Sequence, residues 1–111
     1  VLDNLKAKDN KEHDHLAASL YDIALGTNAR PKPVGEWNEG RVVVRGWHIE
    51  HWLNGEKVVD LDLASTDGKA AIAASKFKDW EKFATARRGH IALQDHGDKV
   101  SYRAVKVREL K

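Results

Sequence analysis

The dipeptide Asn54-Gly55 constrains this chain more than any other pair of residues in it. Both residue types tolerate the positive φ of a type I′ turn, whose twist matches that of two antiparallel strands, so the pair marks a tight hairpin when alternating segments flank it. Residues 47–53 and 56–63 alternate in that way. Just upstream, residues 41–45 carry the β-branched run Val42-Val43-Val44, and Gly46 punctuates. The pattern predicts a three-stranded antiparallel meander. Period-two geometry puts Trp47, Ile49, His51 and Leu53 on one face of the middle strand and His48, Glu50, Trp52 and Asn54 on the other. In the third strand Val59, Leu61 and Leu63 oppose Val58, Asp60 and Asp62.

The period changes after Leu63. Residues 65–88 are rich in alanine and lysine, and Ile72, Phe77, Trp80, Phe83 and Ala84 fall near helical spacing, which predicts one or two short helices ending before Gly89. Within them residues 76–82 read as an amphipathic helix with Phe77, Trp80 and Phe83 inward. Strand texture resumes over residues 89–94 and 100–110, around the polar loop 95–98, as a final hairpin. Residues 1–33 are polar and irregular, with a charge-rich stretch over 6–15, an apolar cluster at Leu16, Leu20, Tyr21, Ile23 and Leu25, and a short helix expected over 14–21. Pro31 and Pro33 make residues 26–35 an exposed connection.

A chain of 111 residues suits one domain. With 41% hydrophobic and 32% charged residues it has a globular composition, and no apolar run approaches the roughly 20 residues of a membrane-spanning helix. Lys and Arg number 19 against 17 Asp and Glu, interspersed, which argues against a nucleic-acid footprint. The absence of cysteine excludes disulfides, thiolate metal sites and cysteine nucleophiles. There is no phosphate-binding glycine loop and no serine in a nucleophile elbow. Five expected strands are too few for a sandwich, whose usual complement is about seven or more. Either the N-terminal region hides strands or sheet partners lie outside this chain.

Several residues carry candidate chemistry. His51 shares a strand face with Ile49 and Leu53, so it is either a satisfied interior histidine or a base reached from the sheet edge. On the other face, Trp52 offers a flat apolar platform for a ligand, while Glu50 and His48 can form hydrogen bonds or move a proton. The loop Asp95-His96-Gly97-Asp98 and the adjoining Gln94 hold more polar chemistry than a minimal turn needs. Asp3, His13 and His15 are weaker candidates for a divalent metal ion as cofactor, since no recognised zinc spacing is present. A solvated loop is the plainer reading of them.

Two strings are more informative than their composition. One is Gly35-Glu36-Trp37-Asn38 followed by residues 48–59, HIEHWLNGEKVV; the other is residues 89–98, GHIALQDHGD, with the strand after it. Together with Val1-Leu2-Asp3-Asn4, a histidine at His13 or His15, and residues 18–23, they resemble the 3-keto-disaccharide hydrolase family. The resemblance implies a mainly β fold, a concanavalin A-like jelly-roll sandwich with a short helical insertion, incomplete in this chain. Residues 1–111 then correspond to the C-terminal part of a single domain, whose first strands are missing or supplied by another chain. The implied function is glycosidic cleavage of 3-keto-glycosides by proton abstraction next to the ketone, followed by elimination or hydrolysis. His51, His96 and Glu50 are the expected catalytic residues, and Trp52, His48, Gln94 and Asp95 the expected substrate contacts. The implied partners are a carbohydrate ligand and the missing half of the domain or another chain, and the implied location is periplasmic or extracellular. A non-catalytic, lectin-like module or a structural subunit is the alternative.

Overall fold

The computed structural model describes residues 16–111. Asp3, His13 and His15, with the charge-rich stretch around them, lie outside the described residues. Strands β1 (Gly40–Arg45), β2 (His48–Leu53) and β3 (Glu56–Asp62) form one antiparallel sheet in the order β1-β2-β3, followed by a helix, α1 (Thr66–Ala74). The fold is therefore mainly β with one short helix, as the sequence pattern indicates. Asn54 and Gly55 take φ of 50° and 86°, the left-handed pair that the β2–β3 hairpin requires. Asn54 also accepts from the Glu39 N–H and donates through Nδ2 to the Arg30 carbonyl and to Asn38 Oδ1. One turn side chain thus stitches the proline-containing connection to the sheet.

The register of β3 resolves a conflict within the sequence. Leu53 pairs with Glu56 and Trp52 with Lys57, as a two-residue turn dictates. Continued without interruption, that register would put Val59 opposite Glu50 and carry Asp60 onto the apolar face. Instead the pairing shifts by one residue between His51 and Trp52, so that His51 faces Val59 and Glu50 faces Asp60. This bulge at Val58 exchanges the faces of everything beyond it. Val58 and Val59, adjacent in sequence, are both buried, at 2% and 4% exposure. Val58 was expected on the face of Asp60 and Asp62; the bulge is why it is interior.

With Leu53 (1%) and Ala17 (0%), these valines form the centre of a small core. It lies where the segment before the sheet meets β2 and β3: the Thr27 N–H donates to the Val58 carbonyl at 2.8 Å, and His51 Nδ1 donates to the Ala18 carbonyl at 3.0 Å. Helix α1 starts on Ser65, whose side chain accepts from the Gly68 N–H at 3.0 Å, with Asp67 in the first turn. Gly68 packs so tightly on the end of β3 that a Cβ there would lie 2.2 Å from the Asp62 carbonyl oxygen.

Four sequence expectations need correction. Leu16–Tyr21, expected within a helix, forms turns instead, with Ala18 at φ 64°, Asp22 at φ 60° and an isolated bridge between Leu20 and Ala24. Second, Trp47 belongs to the β1–β2 turn with Gly46, so β2 begins at His48. Third, of the one or two helices expected over residues 65–88 there is one, and the amphipathic helix expected over 76–82 does not form. Past Ser75 the chain closes three-residue turns, Lys78 to Ser75, Trp80 to Phe77 and Phe83 to Trp80. Phe77 stacks on Phe83 with centroids 4.2 Å apart and meets Trp80 edge-on at 5.1 Å, so the aromatics pack on one another and Trp80 is outward. Fourth, residues 89–94 and 100–110 form no strand, and every residue from 85 to 111 is exposed. A strand needs a hydrogen-bonded neighbour, and among the described residues none is alongside.

Candidate active site

The polar face of the sheet is assembled by cross-strand pairing. Arg41 sits opposite Trp52 and Val43 opposite Glu50 on the β1 side, while Glu50 faces Asp60 and Trp52 faces Lys57 on the β3 side. The alternation of β2 sends His48, Glu50 and Trp52 to the same side. Two carboxylates directly opposite one another repel, so the Glu50–Asp60 pair requires positive charge beside it. Lys57 supplies that charge, forming an ion pair with Asp60 Oδ2 and lying 4.0 Å from Glu50 Oε1.

His48 Nε2 lies 2.5 Å from Asp60 Oδ1. Hydrogen bonds from Lys57 first, and from His48 second, hold the Asp60 carboxyl below the usual carboxylate range. The same bond to Asp60, reinforced by the Asp60 and Glu50 charges, raises Lys57 above its ordinary value. An ionised Asp60 can only accept, so His48 Nε2 carries the proton between them and Nδ1 is left as the proton-accepting nitrogen. This His–Asp arrangement fixes the tautomer and steadies an imidazolium when one forms.

Glu50 is more enclosed than its neighbours, with a side chain 15% exposed. Its Oε2 accepts from Trp52 Nε1 at 2.8 Å, which fixes carboxylate and indole together. The Arg41 guanidinium covers one face of the Trp52 ring, 4.2 Å from its centroid. The Lys57 ammonium also lies over the ring, 5.9 Å from its centroid, so a ligand that stacks on Trp52 shares the indole with two cations. His48, Glu50 and Asp60 offer one nitrogen and two carboxylate oxygens within 4.8 Å of one another. Such a donor set suits a divalent cation such as zinc or manganese, which would have to displace the Lys57 ammonium from Asp60.

The structure brings together three residues singled out from sequence, His48, Glu50 and Trp52, and adds Asp60, Lys57 and Arg41. His51 is placed on the opposite face, half-buried and bonded to Ala18. Gln94, Asp95 and His96 lie on the exposed segment after the aromatic turns; the Gln94 carbonyl accepts from the Tyr102 hydroxyl at 2.5 Å, and Asp95 Oδ1 accepts from the Gly97 N–H at 3.2 Å. Asp60 escaped sequence reasoning because its partner depends on the bulge. A signal did exist: Asp60 stands between Val59 and Leu61 in a strand whose apolar positions are already accounted for.

A twisted antiparallel meander with a histidine, two carboxylates and an indole on its polar face defines a class: β-sheet proteins that present acid–base groups beside an aromatic platform. Within that class the match is specific. Residues 2–108 match the family described as the 3-keto-alpha-glucoside-1,2-lyase-like domain, and the chain belongs to that family. It is 33% identical, over 99% of its length, to a 3-keto-disaccharide hydrolase of Bacteroides thetaiotaomicron. It spans 42% of the length of that relative. The fold is also similar to a crystal structure from Parabacteroides distasonis of a protein provisionally assigned as a glycosyl hydrolase, with a TM-score of 0.56 and 32% identity, covering 66% of this chain and 31% of the other. The mainly antiparallel sheet with one short helix accords with a jelly-roll-like fold. No helix among the described residues is long and apolar enough to cross a membrane.

Proposed function

We propose that the protein carrying these residues is carbohydrate-active and cleaves 3-keto-glycosides, with His48 as the base. The observation that carries this reading is the His48–Asp60 pair beside Glu50, in a chain of the 3-keto-alpha-glucoside-1,2-lyase-like family. A ketone at ring carbon three acidifies the hydrogen on carbon two. His48 Nδ1 takes that proton, and the electron pair moves into the enolate. The enolate then expels the substituent on carbon one, which leaves with its bonding electrons and is protonated to the free alcohol. Asp60 steadies the imidazolium. Glu50, locked to Trp52 and close to Lys57, bonds sugar hydroxyls or returns the proton, and Lys57 offers a positive charge to the developing oxyanion. Trp52, beside Arg41 and Lys57, serves as a substrate contact. His51 acts through the fold.

The test is turnover of a 3-keto-glucoside. His48→Ala and Asp60→Asn should each lower kcat by roughly 10²- to 10⁴-fold, the usual worth of a general base. Unchanged turnover in both variants refutes the assignment of the base. Binding of the unoxidised glucoside with no release of alcohol from either form would point to a lectin-like module on the same fold.

A further inference from the structure

Strand β1 lies at one edge of the sheet, and its two sides differ in chemistry. On the apolar side Val42 and Val44 are 63% and 53% exposed. On the polar side Arg41 stands opposite Trp52 and Arg45 opposite His48, with Val43 between them. Both arginines are exposed, and among the described residues neither forms an ion pair. The carboxylates of the same face are engaged elsewhere: Asp60 with Lys57 and His48, Asp62 through Oδ1 with the Ala64 N–H at 2.8 Å, and Glu50 with Trp52 Nε1. The polar face thus has a basic margin along β1 and an acidic one along β3.

Of the two arginines, Arg41 is fixed beside the aromatic platform. Its guanidinium carbon lies 4.2 Å from the Trp52 ring centroid, and the Lys57 ammonium lies 5.9 Å from the same centroid. A neutral sugar stacking on that indole disturbs a cation–π contact and offers the guanidinium only uncharged hydroxyls. An acidic sugar offers more, because the planar fork of N–H donors on arginine matches the two oxygens of a carboxylate. Lys57 is held by Asp60, which leaves Arg41 as the uncommitted cation at the platform.

Position along the strand says which sugar unit is read. His48 is the first residue of β2, so the polar face runs from it in one direction, past Glu50 to Trp52. At about 3.3 Å per residue, Trp52 stands about 13 Å along the strand from His48, farther than one pyranose ring reaches. A ring whose carbon two lies at His48 therefore brings its neighbour, the unit across the bond to be cleaved, to Trp52 and Arg41.

We infer that Arg41 is a specificity-determining residue for an acidic leaving unit: the substituent on carbon one of the 3-keto ring is a uronic acid, whose carboxylate accepts from the Arg41 guanidinium beside Trp52. This rests on the proposed cleavage for which unit departs, whereas recognition of the carboxylate needs no turnover. Arg45, the same residue type on the same strand and face, stands beside the 3-keto ring and serves as the internal comparison.

Two measurements on the full chain test it. Calorimetric titration with two unoxidised disaccharides of the same linkage, glucosyl-glucose and glucosyl-glucuronic acid, reads recognition without chemistry. Initial rates with their 3-keto forms, oxidised on the glucosyl ring, read it with chemistry. The acid should be preferred about tenfold in Kd and in kcat/KM, and the preference should shrink at high ionic strength. Arg41→Ala should bring the ratio of acid to neutral to within about twofold of unity, while Arg45→Ala should keep at least about half of the preference. Equal affinities in the native protein, or no binding of either disaccharide, overturn the inference. So does a preference that survives Arg41→Ala, or one that Arg45→Ala removes instead, which would put the acid on the 3-keto ring. A preference in Kd that Arg41→Ala abolishes, with no release of the leaving unit from either 3-keto form, upholds the inference and defeats the cleavage reading alone.

Discussion

The two faces of β2 use the same residue type for different ends. His48 and His51 are three residues apart, both half-buried, and each is bonded to one oxygen. On the polar face His48 meets a carboxylate that stays ionised, so its other nitrogen is poised to take a proton. On the apolar face His51 meets a main-chain carbonyl that carries no net charge, and the bond anchors a turn to the sheet. A histidine's role is decided by what the facing strand and the covering loop put opposite it. Strand parity sets which of those two neighbours it meets.

The contrast can be broken most directly by exchanging the two losses. His48→Ala should remove about 10²-fold or more from kcat, while His51→Ala should leave kcat within a few-fold and instead lower the melting temperature. The reverse pattern would show that the faces have been assigned the wrong way round. Next in size, Leu53→Ala opens a cavity in the buried end of the apolar face and should cost about 2–4 kcal/mol in chemical denaturation. A cost below about 1 kcal/mol would mean that this end is as loosely packed as the Val42 end. Gly68→Ala drives a methyl group into the end of β3 and should cost about 1–3 kcal/mol, against the gain an exposed helix position gives for the same change.

The smallest effect is the pH dependence of the polar face. Because Asp60 is held low, its contribution is present above its unfolded value near pH 4 and is lost as pH falls through the lower folded value. Lys57 is raised, so its contribution is present below its unfolded value of about 10.4 and fades as pH climbs through the folded one. The stability difference between the native protein and Asp60→Asn should therefore be flat from about pH 5 to 9 and shrink beyond both ends. A difference that changes around pH 7 would place its origin outside the Lys57–Asp60 pair.

Much of this was legible before any coordinates. The Asn-Gly turn, the valine run and the alternation of residues 47–53 specify three strands and assign His48, Glu50 and Trp52 to one side, because each is a local, short-range instruction. What failed was non-local. Residues 89–94 and 100–110 have strand composition, but pairing depends on a neighbour that their own sequence does not encode. Phe77, Trp80 and Phe83 have near-helical spacing, yet three aromatics within one span of tight turns satisfy one another without a helix. Asp60 reached the site through a register shift that exists only once two strands are laid together.

That register shift has a consequence for how the gene tolerates change. Val58 touches nothing that a substrate would touch, and a swap to another aliphatic residue of similar size should pass almost unnoticed. Removing the codon spares the chemistry and strikes the core: without Val58 the register set by Leu53–Glu56 and Trp52–Lys57 runs on to put Val59 opposite His51 and Asp60 opposite Glu50, the pairs the sheet already has. One in-frame deletion would leave the polar face intact while removing a buried side chain and the carbonyl that accepts from Thr27. The extra residue at this position serves the interior and not the polar face.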